Sequence, residues 1–381
     1  VAPPLAALAG TLALAAAMGI GRFAYTPLLP PLRDALGWTV AQAGDVAAAN
    51  FLGYVLGALA AAAPAQAPSR LRWLAAAFAA SAATTLAGAG AGSFEAWLVV
   101  RFLSGVASAF CLVITTAVVI EFLARTGAPQ WGALHFAGVG TGIVLSVVVI
   151  EAARLAGASV FLQWAALGAC AAALLAAAWR VARAIPARPA AATRSGLAPP
   201  PSGSPLARLI IAYGLFGFGY VVTATFIVAM ARELEGARWL EPLTWVVVGL
   251  CAAVSIVVWQ RIARRLGTYG ALRLAYAVEA AGVLLAGFAG GPLAVVVGGA
   301  LLGGTFVAIT ALGLVAARQA ARGSQDRVIG WMSASFGLGQ LIGPAAAGRL
   351  AEATGAFAAP SLVAAALLGA GIVLLAGLEK R

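Results

Sequence analysis

Long runs of apolar residues, broken at intervals by glycine, proline and charge, set the pattern of this chain. The runs do not alternate with a period of two, and each approaches the roughly 20 residues an α-helix needs to cross a bilayer. The breaks divide them into twelve predicted helices, at 5–32, 39–62, 72–91, 95–123, 130–152, 158–181, 207–231, 241–262, 270–290, 292–317, 328–351 and 357–378. The segment 183–205 interrupts the series. It carries Pro186, Pro189, Pro199, Pro200, Pro201 and Pro205 with Arg188 and Arg194 among them, a composition that builds no core and reads as a linker. The pattern predicts an all-α membrane protein of two six-helix bundles, 1–182 and 206–381, joined by a Pro/Arg-rich linker at 183–205.

Composition agrees. The 381 residues are 63% hydrophobic and 9% charged, with a mean hydropathy of +0.99, against about 25% charged in soluble domains. The net charge of +12 does not point to nucleic acid, because the basic residues sit in short loops between spans. With the N-terminus inside, the outer loops hold Arg33, Arg154, Arg232, Arg238 and Arg349. Almost all other Lys and Arg fall on the inner side, leaving Arg22 and Arg101 within spans. That asymmetry predicts both termini in the cytoplasm, in a multi-pass protein of the cytoplasmic (inner) membrane. The linker charges belong to the same inner side. Cys111, Cys170 and Cys251 lie singly in apolar spans and read as small core residues. The first segment lacks a basic leader, is too long for a signal peptide's apolar region and carries Arg22, so it is expected to remain as the first span.

The halves echo one another. Gly19-Ile20-Gly21-Arg22 in the first predicted helix answers Gly217-Phe218-Gly219-Tyr220 in the seventh. Gly138-Val139-Gly140 in the fifth answers Gly337-Leu338-Gly339 in the eleventh, at nearly the same offset. Repeated halves place a substrate site near the membrane midplane. These features resemble the major facilitator superfamily. Arg101-Phe102-Leu103-Ser104-Gly105 is similar to its Arg-x-x-x-Gly pattern in the fourth helix, and Gly138 to Gly142 to its glycine-rich fifth helix, without the Gly-Pro pair of many exporters. Arg261-Ile262-Ala263-Arg264-Arg265-Leu266-Gly267 resembles its basic loop signature better than the departing loop from Pro64 to Arg72 does. Gly19-Ile20-Gly21-Arg22-Phe23-Ala24-Tyr25-Thr26-Pro27-Leu28-Leu29-Pro30 resembles the opening helix of the bacterial YbfB/YjiJ-type branch. The resemblance implies the two-bundle fold and a transporter, with helices one, two, seven, eight and eleven facing a cavity.

Arg22 is the most telling residue. A guanidinium stays charged, and inserting it at mid-helix costs at least about 2.5–3.5 kcal/mol. At 1.5 Å per residue, Arg22 lies roughly 15 Å below the outer end of its span. Gly19 and Gly21 allow close approach, and Pro27 and Pro30 open the backbone ladder nearby. This predicts a cavity cation that pairs with a carboxylate, sulfonate or phosphonate through its planar fork; the bland alternative is an arginine bonded to carbonyls or an interior acid. Tyr25, Thr26, Asn50, Tyr54, Tyr213, Tyr220, Thr223, Trp245, Trp331 and Gln340 supply candidate walls and polar contacts.

Asp45 and Arg101 enter from the same side at matching depth, which predicts an ion pair, either a proton-sensitive switch or a static strut. Glu279 lies mid-span and suits a proton carrier, or else an interhelical hydrogen bond. His135, the single histidine, is a further coupling candidate or a structural donor. Glu121 and Arg125 have i,i+4 spacing. Trp38, Trp97 and Trp239 read as interfacial anchors. Gly53/Gly57, Gly88/Gly92, Gly138/Gly142, Gly299/Gly303 and Gly339/Gly343 permit close helix contact.

The expectation is a secondary transporter that moves a small organic anion by alternating access, coupled to protons and surrounded by lipid. It is expected to be a monomer, with no cofactor and no metal. The alternatives are a proton-driven exporter of drugs or metabolites and a non-transporting receptor. Acids are not paired, metal-ligand spacing is absent, and no nucleotide-binding sequence appears, so neither an enzyme nor an ATP-driven pump is expected.

Overall fold

The computed structural model describes residues 1–61, 69–186, 204–234, 236, 238–288, 290–320 and 325–378. Most of the predicted linker, with Arg188 and Arg194, and residues 64–68 of the loop from Pro64 lie outside the described residues. No strand occurs among the described residues. Among the described residues, ten helices are long and apolar enough to cross a membrane, as expected of a multi-pass membrane protein.

The helices are α1 (Pro3–Leu14), α2 (Tyr25–Leu36), α3 (Val40–Ala61), α4 (Arg70–Ala87), α5 (Phe94–Arg125), α6 (Gly132–Leu155), α7 (Val160–Ala182), α8 (Ser204–Arg232), α9 (Leu240–Gly287), α10 (Pro292–Ala320), α11 (Gln325–Thr354) and α12 (Ala358–Leu375). Among the described residues, serine side chains cap two of them. The Ser93 side chain accepts the Ala96 amide at 3.2 Å to open α5, and Ser159 accepts from Leu162 to open α7. Gly37, at φ 66°, closes α2 in the left-handed region that glycine adopts without strain.

Two expectations change. The first predicted span is not one helix: α1 passes through a π-helical turn, Ala15–Ile20, and a turn at residues 21–24 before α2 begins. The expected loop between 262 and 270 shortens to a kink, with helix running up to it from both sides. α9 is broken only at Gly267 (φ 71°, ψ 168°).

The chain divides into two compact units, Val1–Gly37 with Ala49–Thr193, and Trp38–Ala48 with Arg194–Arg381. In the first unit, α1 and its π-turn pack on α6 through glycine. A Cβ at Gly138 would fall on the Thr11 backbone, one at Gly142 on Ala15, and one at Gly19 on Gly142. In the second unit α8 packs on α11 in the same way, with Gly217 against Phe336 and Gly339 against Gly214 and Phe218. The repeated Gly-x-Gly sequences therefore mark the same kind of seam in each unit. Gly53 and Gly57 lie against Phe102 and Val106 of α5, and Gly299 and Gly303 against residues of α9, whereas Gly92 meets open space.

Three smaller expectations are corrected. Trp97 is fully buried, donating its indole N–H to the Ala91 carbonyl at 2.7 Å and packing on Trp164, and Trp38 is also buried; only Trp239 is exposed like an anchor. Glu121 pairs with Arg70 at 3.2 Å rather than with Arg125, which donates to the Pro186 carbonyl.

Candidate functional site

The first unit gathers Arg22, Tyr25, Thr26, Asn50, Tyr54 and Arg101 around the broken opening segment. The break follows from sequence. Pro27 has no N–H to offer the Phe23 carbonyl, and the Thr26 amide donates to that carbonyl instead, at 3.2 Å. Upstream, Gly21 N donates to Ala16 O and Phe23 N to Met18 O, the wide spacing of a π-turn. The carbonyls of Gly21 and Arg22 turn towards α5. Arg101 meets both, donating from Nη1 to Gly21 O and from Nη2 to Arg22 O, each at 2.8 Å; Ser104, one turn along, donates to Gly21 O at 3.0 Å. Charged donors to buried carbonyls are each worth about 1.5–3 kcal/mol.

The Arg22 side chain points elsewhere. Its Cζ lies 4.0 Å from the Tyr54 ring centroid, 4.6 Å from that of Phe51 and 5.6 Å from that of Phe23. The residue is 4% exposed. Among the described residues, its Nε and Nη2 have no hydrogen-bond partner. Aromatic faces attract the cation by about 2 kcal/mol when desolvated, but they leave those N–H groups unsatisfied. Asn50, fully buried, donates its amide to the Arg101 carbonyl at 2.9 Å and keeps Oδ1 without a partner.

The expected Asp45–Arg101 pair does not form. Arg101 is committed to carbonyls, and Asp45 makes a two-point ion pair with Arg349 (2.7 and 3.0 Å) inside the second unit. Beside it, the Ala41 amide donates to Glu352, and Gly44 and Gly348 let α3 and α11 touch. Matching depth did not make them partners, because depth leaves rotation about each helix open. His135 is fully buried in the first unit, with Nε2 3.0 Å from the Thr116 hydroxyl.

The second unit brings Tyr213, Tyr220 and Gln340 together. Tyr220 stacks nearly parallel to Phe306 (5°) and Phe336 (3°), and Tyr213 stacks on Phe336 at 5.0 Å. The Gln340 amide donates to the Tyr220 hydroxyl while its Oε1 stays buried without a partner. Thr223 Oγ1 and Trp245 Nε1 are likewise buried and unpartnered among the described residues, and Trp331 is only half-buried. Glu279 of α9 is fully buried; its Oε2 accepts the Thr305 hydroxyl of α10, and Oε1 has no partner. Phe51, Ser104, Phe306 and Phe336 were not singled out from sequence. Helical spacing carried a signal for some: Phe51 precedes Tyr54 by three, Ser104 follows Arg101 by three, and Phe336 precedes Gln340 by four.

A model of the family described as "Uncharacterised MFS-type transporter YbfB" matches residues 14–376. Among solved structures, a single-substitution mutant of the nucleoside transporter NupG superposes with a TM-score of 0.72 at 15% identity, covering 98% of this chain and 99% of that one. A further NupG structure gives 0.71 at 15%, covering 99% and 98%. At that identity the likeness shows the fold. No curated protein matches the chain. Family and structural neighbours are transporters, not enzymes. With the family model spanning nearly its whole length, the chain belongs to the YbfB-type family of major facilitator transporters.

Proposed function

We propose that the protein carries a small organic anion across the cytoplasmic membrane by alternating access, and that Arg22 meets the anion. One observation carries this reading. Nε and Nη2, both buried and unpartnered among the described residues, form one edge of the guanidinium, and the two oxygens of a carboxylate, sulfonate or phosphonate fill such an edge. Arg101, the other buried arginine of the unit, is bonded to carbonyls, which leaves its charge uncompensated by them. A bound anion offsets the resulting field.

The fold is read as twelve spans in two six-helix bundles, 1–182 and 206–381, in a monomer with both termini cytoplasmic. The helical stretches 240–266 and 268–287 meet at the non-helical Gly267 (φ 71°, ψ 168°), which supports counting α9 as two passages. Protons drive the cycle through Glu279 rather than Asp45. Glu279 is fully buried with a free carboxyl oxygen, whereas Asp45 is held in a partly exposed ion pair. His135 takes the structural role, bonded to Thr116.

A second reading takes a neutral, flat substrate. The neighbouring NupG structures are titled as nucleoside transporters, and the Tyr220 stack with the Gln340 amide suits a planar ring with hydrogen-bonding edges. A thermal-shift screen of the purified protein separates the two. Carboxylates, sulfonates and phosphonates are expected to stabilise it and their neutral amides not to, with Arg22→Ala abolishing the shift while staying monodisperse. Stabilisation by nucleosides alone rejects the anion.

A further inference from the structure

We infer that Arg101 is a positioning residue for the anion site: by holding two consecutive carbonyls of the unwound turn, it sets the direction in which Arg22 projects. The inference rests on the proposed role of Arg22. Its geometry lies wholly in the first unit. The two nitrogens at the end of the Arg101 fork bond Gly21 O and Arg22 O at 2.8 Å each, so the planes of two successive peptides are fixed at once. Both planes adjoin the Arg22 Cα, one on each side. A lysine or serine at 101 supplies a donor but not this two-point hold.

The rest of the frame closes a loop. Asn50 donates to the carbonyl of Arg101 itself, and Gly105 and Gly53 let α3 and α5 touch backbone to backbone. Phe51 and Tyr54, which face the Arg22 guanidinium, follow Asn50 on α3. One helix thus holds the Arg22 side chain, a second holds its main chain, and Asn50 ties the two helices together. Beyond the field of its charge, which lysine keeps, Arg101 acts on the anion through Arg22.

The test is a double-mutant cycle on the full chain in detergent, with benzoate as probe and benzamide as its neutral counterpart. Arg101→Lys is expected to weaken benzoate about tenfold in the wild type. In the Arg22→Lys background the same change is expected to cost less than about twofold, because a point charge has no fork to aim. Equal losses in the two backgrounds, or none in either, overturn the positioning role. A failure to discriminate benzoate from benzamide in the wild type overturns the anion reading itself. Should Arg101→Lys fold poorly, Ser104→Ala removes one of the three bonds to the turn. Faster amide hydrogen exchange at residues 21–26 is then expected, and unchanged exchange contradicts the inference.

Discussion

The guanidinium carbon of Arg22 sits 4.0 Å from the centroid of the Tyr54 ring, closer than to either neighbouring phenylalanine. The ring face is what the cation–π contact uses, and the Tyr54 hydroxyl also interacts with Arg22. Tyr54→Phe, which keeps the ring, is expected to lose less anion affinity than Tyr54→Leu, which loses about thirtyfold, the worth of a desolvated cation–π contact. Titration calorimetry with the anion found in the screen distinguishes them.

His135 owes its place to a glycine. A Cβ at Gly10 would fall on the imidazole ring. Gly10→Ala is expected to cost about 1–3 kcal/mol by overpacking and to lower the unfolding temperature. His135→Ala should remove most of that penalty in the double mutant. If the two losses simply add, the contact is not what constrains position 10.

Asp45 and Arg349 form a pair whose arginine is 58% exposed, and exposed pairs are worth about 0–1 kcal/mol. Asp45→Asn is expected to shift thermal stability little and to leave the pH dependence of uptake intact. Glu279→Gln, which keeps the shape beside Thr305 but has no titrating proton, is expected to flatten that dependence. Uptake measured from mildly acid to mildly alkaline pH decides; a flat profile in Asp45→Asn with a normal one in Glu279→Gln reverses the assignment.

Much of the helical arrangement was legible because bilayer length and turn residues impose it. The Gly-x-Gly repeats located the α1–α6 and α8–α11 seams, since only a missing Cβ lets backbones approach so closely. Pro27 lies just after the broken opening segment, but the sequence pattern predicted one helix there, and Pro30 sits inside α2. What the sequence could not give was rotation. Helices apolar on nearly every face carry no strong moment, so the depth of Asp45 and Arg101 said nothing of azimuth, and each found a different partner. The carbonyls that occupy Arg101 are available because the turn at 21–24 unwinds beside Pro27.

The central claim is the anion-binding edge of Arg22. Its most direct test is uptake by proteoliposomes of the best-stabilising anion, compared between wild type and Arg22→Ala at matched insertion. Saturable uptake that disappears in Arg22→Ala is the predicted result. Undiminished uptake in that variant, with unchanged half-saturation, would contradict it.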